Sequence, residues 1–507
     1  MGVIAFLFAV SAQATQLNVK TVSFASNKIQ VVEMPATKFG AFSKLAVAGV
    51  ETTKEVGAPE LPVKSFLLQG TPSEIEVSIN VRKSEQLTDT RPSPVQPQDC
   101  RCATTRKGFA FDESKYEAEQ KPYKLTYIGA FRGTPITRLD VNLASYDAKS
   151  NSVTLNSDVE IATTAVDYSF ERAEYKDYLI VVPEALAAGV DDFVAYKSSR
   201  GYSVVVEKVL SPASTLTTVQ SIVKKHYGRG ADFVIIVGDS TAVPMFKVDT
   251  SGSPQTPTDL PNFTMDGAGD HVPDMFYSRI VASSVDQVKA QLAKSMDYEQ
   301  RTQGGQFGGI VGVASNEGAD PSDKEYVTAV NEQFVKGLGV SQLFLHQDDV
   351  KSNAVVLNQQ LDSGAFWMTY LGHGSGYSWP SFNQSYSASD FASLKNVNST
   401  KPVIIDVACM NGVIKDGYLG ASSMKVNGTA AGAAAYLGGT VNISWHPPAI
   451  MARGIAIEHM AKRFNTLGEA ILAGQLYLTA NWTNTEEVVD NFEWYHLQGD
   501  PGLNVKF

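Results

Sequence analysis

Two residues with the chemistry of a nucleophile and its base close two apolar runs. His373 stands between glycines in "YLGHGSG" (370–376), directly after "AFWMT", and Cys409 follows "VIIDVA" (403–408). A thiolate attacks a carbonyl carbon only when something lowers the thiol pKa or takes its proton, and imidazole does both. Gly374 has no Cβ, so the backbone at that point can come close to a substrate and aim its N–H at a developing oxyanion. The Cys409 N–H is a natural second donor. Taken singly, each residue has a bland reading: the histidine as a core or surface residue, the cysteine as a small buried apolar one. It is their shared position at strand ends that points to catalysis.

Other chemistries fail on spacing. A nucleophile elbow at Ser375 needs glycines two residues to either side, where His373 and Tyr377 stand. A dinucleotide fingerprint beginning at Gly372 needs its third glycine where Tyr377 is.

The elements that must position these residues can be read from periodicity. From about residue 175 the chain alternates strand-like and helix-like runs: "DYLIVV", "EALAAGVDDFVAYKSSRG", "YSVVVEKV", "TLTTVQSIVKKHYGRG", "ADFVIIVGD". The alternation resumes after about 305 with "GGIVGVAS", a helix from Ser322, "SQLFLHQ", a helix near 352–363, "AFWMTYLG", "KPVIIDVA" and "AAGAAAYLGG". Near-continuous apolar strands separated by helices predict parallel sheets covered on both faces. Ligands of such sheets bind outside the carboxyl ends of the strands, where His373 and Cys409 both fall. Residues 15–172 differ. Short runs alternating with period two, such as "KIQVVEM", "KLTYIGAF" and "SVTLNSDVEIATTAV", predict a β-sandwich-like domain. The expected organisation is a leader (1–14), a β-rich domain (15–172) and two consecutive α/β subdomains with mainly parallel sheets (173–305 and 306–507).

Composition sets outer limits. Of 507 residues 43% are hydrophobic and 19% charged, and the formal net charge is −11. With no run of five basic residues, a phosphate-tracking surface and hence a nucleic-acid partner are not expected. The stretch "MGVIAFLFAVSAQATQ" ends on Ala12-Gln13-Ala14, a small-x-small pattern, so a signal peptide and a secreted protein are expected. No later run reaches the ~20 apolar residues of a membrane span. Cys100 and Cys102 are too close for an easy disulfide, and Cys409 is remote from both, so no disulfide framework is expected.

Several separate motifs, in order, resemble the gingipain family of cysteine peptidases, part of the caspase-like group. They are "VASNEG" (313–318), "TD" (258–259) before "GDH" (269–271), "GHGS" (372–375), "DVACMNG" (406–412), "NISW" (442–445) and a closing "GDPGL" (499–503). The resemblance implies a caspase-like catalytic region and a secreted cysteine endopeptidase made as a zymogen, with the β domain as its inhibitory propeptide. Protein or peptide substrates and the chain's own propeptide are then its partners. Cys409 becomes the nucleophile and His373 the general base and acid. Gly374 and Cys409 supply the oxyanion hole, and Glu317 orients the histidine. Trp445 walls the primary specificity pocket. Asp323, the first helical residue after Ser322, takes the position of the aspartate that pairs with a substrate guanidinium, so cleavage after Arg is expected, with Lys second. The alignment can also slip to Asp320. No acid stands in "HPPAIM" after Trp445, where the lysine-cleaving members carry theirs. The resemblance implies no catalytic cofactor. It does imply structural Ca²⁺, for which Asp266, Asp270 and Asp274 on the glycine-rich loop "MDGAGDHVPD" offer hard oxygen ligands. The rival reading is a catalytically silent relative acting as a surface or binding protein.

Overall fold

The computed structural model describes residues 17–98, 108–211, 215–251, 253–318, 321–426 and 430–507. The expected leader, Cys100, Cys102 and Asp320 lie outside the described residues.

Apolar runs form the strands, because a stretch buried on both faces needs no polar alternation. In Val403–Val407 and Trp367–Leu371 every residue is buried. Four parallel strands make the first α/β unit, in the order Ser203–Val209, Asp177–Pro183, Phe233–Val237, Phe276–Ile280. Six make the second: Tyr495–Gln498, Ala435–Gly439, Val403–Val407, Trp367–Leu371, Ile310–Ala314, Gln342–His346. Only Tyr495–Gln498 runs antiparallel to its neighbour in that unit. It also meets the first unit through the pair Arg279 and Gln498, which joins both into one ten-stranded sheet. The seam is polar and fully buried. Arg279 donates to both oxygens of Asp259 at 2.6 Å, and the Asp259 N–H donates to His496 Nε2 at 3.0 Å.

The helix from Asp323 to Leu338 follows its sequence signals closely. Ser322 and Glu325 form a capping box, Gly339 ends the helix in the left-handed region, and Tyr326, Val330 and Phe334 are buried. One expected helix is instead two pieces. Residues 184–201 form a 3₁₀ segment, Glu184–Gly189, then the α-helix Asp191–Ser199. Gly189 is the break point: a Cβ there would stand 2.6 Å from Val288 Cβ, so the chain turns where it touches the next helix.

In the N-terminal domain the described strands pair antiparallel. One sheet joins Asn18–Ser23, Ser152–Thr163 and Val77–Leu87, and another joins Glu51–Thr52, Pro62–Gln69, Thr134–Asn142 and Tyr123–Phe131. Leu68, Leu139 and Val141 from one sheet and Val159 and Ile161 from the other fill the space between, as in a sandwich. This domain sits on the α/β region through a charged group taken out of water. Arg138 is fully buried; it is held by Asp140 and donates to the carbonyls of Trp482 and Thr483 at 2.8 Å each and to Thr485 Oγ1 at 2.9 Å. A cavity of about 470 Å³ remains between the two, lined by Phe42 and Lys54 on one side and Pro321, Tyr326, His446 and Arg453 on the other.

Candidate active site

Leu371 lies opposite Val407 on neighbouring parallel strands, so the residues that follow leave the sheet side by side at one edge. A Cβ at position 374 would lie 2.3 Å from the Cys409 carbonyl oxygen and 2.8 Å from its nitrogen. No side chain tolerates that, so the glycine after His373 is what lets the histidine loop settle onto the cysteine turn.

His373 is fixed at several points. Its N–H donates to Ser381 Oγ at 2.9 Å and its carbonyl accepts from Tyr370 Oη at 2.8 Å. Nε2 lies 2.9 Å from Glu317 Oε1. A carboxylate on Nε2 assigns the proton to that nitrogen and makes Nδ1 the basic one. The ring stands edge-on to Trp445, centroids 5.6 Å apart. Cys409 has no exposed surface, and its Sγ accepts the Ile443 N–H at 3.4 Å. The thiol in turn faces the Ile443 carbonyl oxygen at 4.0 Å.

On the far side of Trp445 lies the start of the 323–338 helix. Gly318, at φ +86°, marks the close approach: its missing Cβ would be 2.9 Å from Trp445 Nε1 and 3.1 Å from the Asp323 nitrogen. Asp323 is fully buried, its Oδ2 accepting from Ser315 Oγ at 2.8 Å. Glu317, His373, Trp445 and Asp323 thus form one cluster, the Asp323 N–H donating to the Glu317 carbonyl at 3.1 Å, with Gly374 and Cys409 packed beside the histidine.

The structure adds residues that the motifs did not single out. Asn411 is buried; its Oδ1 accepts the Gly376 N–H at 2.9 Å and its Nδ2 donates to Asp406 Oδ2 at 3.0 Å, which ties the histidine loop to the cysteine turn. Met410, directly after the cysteine, takes φ +59°, a left-handed conformation uncommon for such a side chain. The one available signal was the turn composition of "CMNG".

Asp266, Asp270 and Asp274 also converge, each offering one oxygen within 4.8 Å of the others. They lie in the first α/β unit, against the N-terminal domain. Asp270 Oδ1 accepts from Ala130 N at 3.0 Å, Asp266 Oδ2 from Gly133 N at 3.2 Å, and Asp274 Oδ1 from Arg132 N. Burial pushes the Asp274 carboxyl up to about 7 and raises that of Asp270.

Cysteine and histidine on adjacent ends of a parallel α/β sheet are an arrangement that cysteine peptidases use. The chain belongs to Peptidase family C25, whose family model matches residues 171–506. It is 25% identical over 357 residues to gingipain R2 of Porphyromonas gingivalis, covering 66% of this chain and 47% of that protein. To Lys-gingipain HG66 of Porphyromonas gingivalis it is 22% identical over 561 residues, 94% of this chain and 32% of the relative. The chain therefore spans about half or less of the curated relatives it matches. Among solved structures, the Arg-specific cysteine proteinase gingipain R superposes with a TM-score of 0.59 at 22% identity, covering 67% of this chain and 80% of the other. The complex of RgpB pro- and mature domains from Porphyromonas gingivalis gives 0.57 at 23% identity, covering 65% and 79%. These likenesses carry the fold. No helix among the described residues is long and apolar enough to cross a membrane.

Proposed function

We propose that this chain is a secreted cysteine endopeptidase, made as a zymogen, that cleaves after Arg and less well after Lys. The observation that carries the reading is the Glu317–His373 pair at 2.9 Å, with Gly374 packed against Cys409 in the same loop. The Cys409 thiolate adds to the peptide carbonyl carbon, and the oxyanion is received by the N–H groups of Gly374 and Cys409. As the C–N bond breaks, His373 protonates the leaving amine. It then takes a proton from water, which releases the acyl group and restores the thiol.

Specificity for Arg rests on Asp323, buried beside Trp445, since a guanidinium pairs with a carboxylate through two directional bonds where Lys offers a point charge. Latency is supported by the buried Arg138 seat, which holds the N-terminal domain on the α/β region. The link between the domains suits maturation: Glu171–Ala173 and Lys176 are exposed, outside helix and strand, the kind of segment that proteases cut first. The basic segment around Cys100 and Cys102 is the other cleavage candidate and lies outside the described residues. Asp266, Asp270 and Asp274 fit a hard cation such as Ca²⁺ in donor type and convergence, and its charge would offset the cost of burying two of them. Chelation should then lower the melting temperature of the full chain at neutral pH.

The deciding experiment is a peptide-library cleavage profile, read by mass spectrometry, on the full chain incubated until processed, with Cys409→Ala alongside. Cleavage after Arg that falls by several orders of magnitude in the variant supports the reading. Activity of the variant within about tenfold of wild type rejects it. Full activity with no processing rejects the zymogen.

A further inference from the structure

The cluster of Asp323, Trp445 and His373 adjoins the layer of helices Asp323–Leu338 and His446–Lys462. The opposite side of the sheet belongs to the layer that contains Leu419, Met424 and Phe391. There, next to the cysteine turn, two tyrosines stack on the surface. The rings of Tyr377 and Tyr418 are 4.8 Å apart and inclined by 26°. Tyr377 is 54% exposed, and the N-terminal domain leaves it so.

Three observations separate this pair from ordinary surface aromatics, which need no explanation when they occur singly. It is continuous with the proposed nucleophile. A Cβ at Gly376 would meet the Tyr418 ring at 3.1 Å and Met410 Cβ at 3.6 Å, so the tyrosines adjoin the residue after Cys409. It is also held in place. The Tyr377 carbonyl accepts from Ala388 N at 3.3 Å, its N–H donates to Ser375 Oγ at 3.2 Å, and Leu419 N donates to the Gly376 carbonyl at 2.9 Å. Lastly, the Tyr377 phenol beside it raises the Tyr418 pKa above its ordinary value. A pair already ordered loses little conformational freedom when something docks on it.

We propose that Tyr377 and Tyr418 form a leaving-group subsite that takes an aromatic or large apolar side chain on the residue just after the scissile bond. The inference rests on the Cys409–His373 peptidase reading. With the side chain before the cut directed toward Asp323, the leaving amine lies at His373, which protonates it, and Tyr377 follows on that same loop. Apolar and aromatic side chains gain there by leaving water against ring faces, with further attraction from offset stacking.

The test uses the full chain incubated until processed and a set of peptides that share one acyl part ending in Arg and differ only in the next residue: Gly, Asp, Leu or Phe. Expected is a ratio of kcat/KM for Phe over Gly of roughly tenfold or more, within the range one apolar contact gives. That ratio should fall to within about twofold in Tyr377→Ala and persist in Tyr377→Phe, which keeps the ring. A wild-type ratio near one, or a ratio unchanged in Tyr377→Ala, overturns the subsite. The ratio is internal to each variant, so a general loss of activity does not imitate the effect. Failure of the peptidase reading looks different: wild type cuts none of the peptides, or Cys409→Ala cuts them as well, and either result overturns both.

Discussion

Asp323 gives the sharpest perturbation, because its two conceivable roles differ in size and in assay. As the first residue of the 323–338 helix its carboxylate favours the helix dipole, an effect worth about 0.3–1 kcal/mol. The helix barely needs it, since Ser322 and Glu325 already cap each other there. Yet the carboxylate is fully buried, held by the Ser315 hydroxyl at 2.8 Å, beside the Gly318 turn that touches Trp445. A substrate guanidinium can pair with it through two directional bonds, and losing one buried charged partner costs about 2 kcal/mol or more, roughly thirtyfold in kcat/KM. Asp323→Asn keeps the shape and removes the charge. Expected is a loss of about thirtyfold or more on Arg peptides, with Lys peptides losing less because their pairing is already poorer. Steady-state kinetics on matched Arg, Lys and Leu peptides reads the ratios directly. If Asp323→Asn keeps its preference for Arg over Leu within about threefold while the melting temperature falls, Asp323 serves only the helix.

Glu317→Gln should lower kcat/KM only modestly, by about fivefold, since the Glu317 side chain is 47% exposed and exposed pairs contribute ~1 kcal/mol at most; a loss as large as that of Cys409→Ala would show that the carboxylate does more than orient the imidazole. Arg138→Met strips a buried charge from its bonds to Asp140 and to the 482–485 turn and should weaken the seat of the N-terminal domain by about 3–5 kcal/mol. Processing should then run faster than in wild type by gel time course; an unchanged rate would mean that Arg138 does not hold the domain down. Stripped of any cation by a chelator, Asp274 supplies a pH dependence. Its carboxyl is raised from 3.8 to about 7 in the folded chain, so the stability it contributes is fully present below about pH 4 and is lost as pH rises through about 7. The melting temperature should fall over that window, and Asp274→Asn should flatten the slope; a variant that keeps the full slope would assign the effect to other groups, Asp490 and Glu493 being likewise pushed up to about 7 by burial.

Sequence alone was enough wherever the signal was local. A strand buried on both faces must be an apolar run, so the cores of the strands leading to His373 and Cys409 could be marked, and their shared carboxyl edge followed from the alternation of strand and helix. The capped helix at Asp323 was legible for the same reason: cap, stripe and terminal glycine lie within one stretch of chain. What lay beyond reach depends on distance or on the absence of contrast. The helices His446–Lys462 and Leu467–Asn481 are buried on nearly all sides, so they show no polar face from which to read a period. That Glu317 meets His373, 56 residues on, and that Trp445 meets His373 are outcomes of strand order, which no local pattern encodes and which only the family resemblance implied. Asn411 and Arg138 look like any polar residues in a turn and a strand. Only packing shows that each is buried and must find its hydrogen bonds from another part of the chain, which is what makes one a brace of the active-site loop and the other the seat of the N-terminal domain.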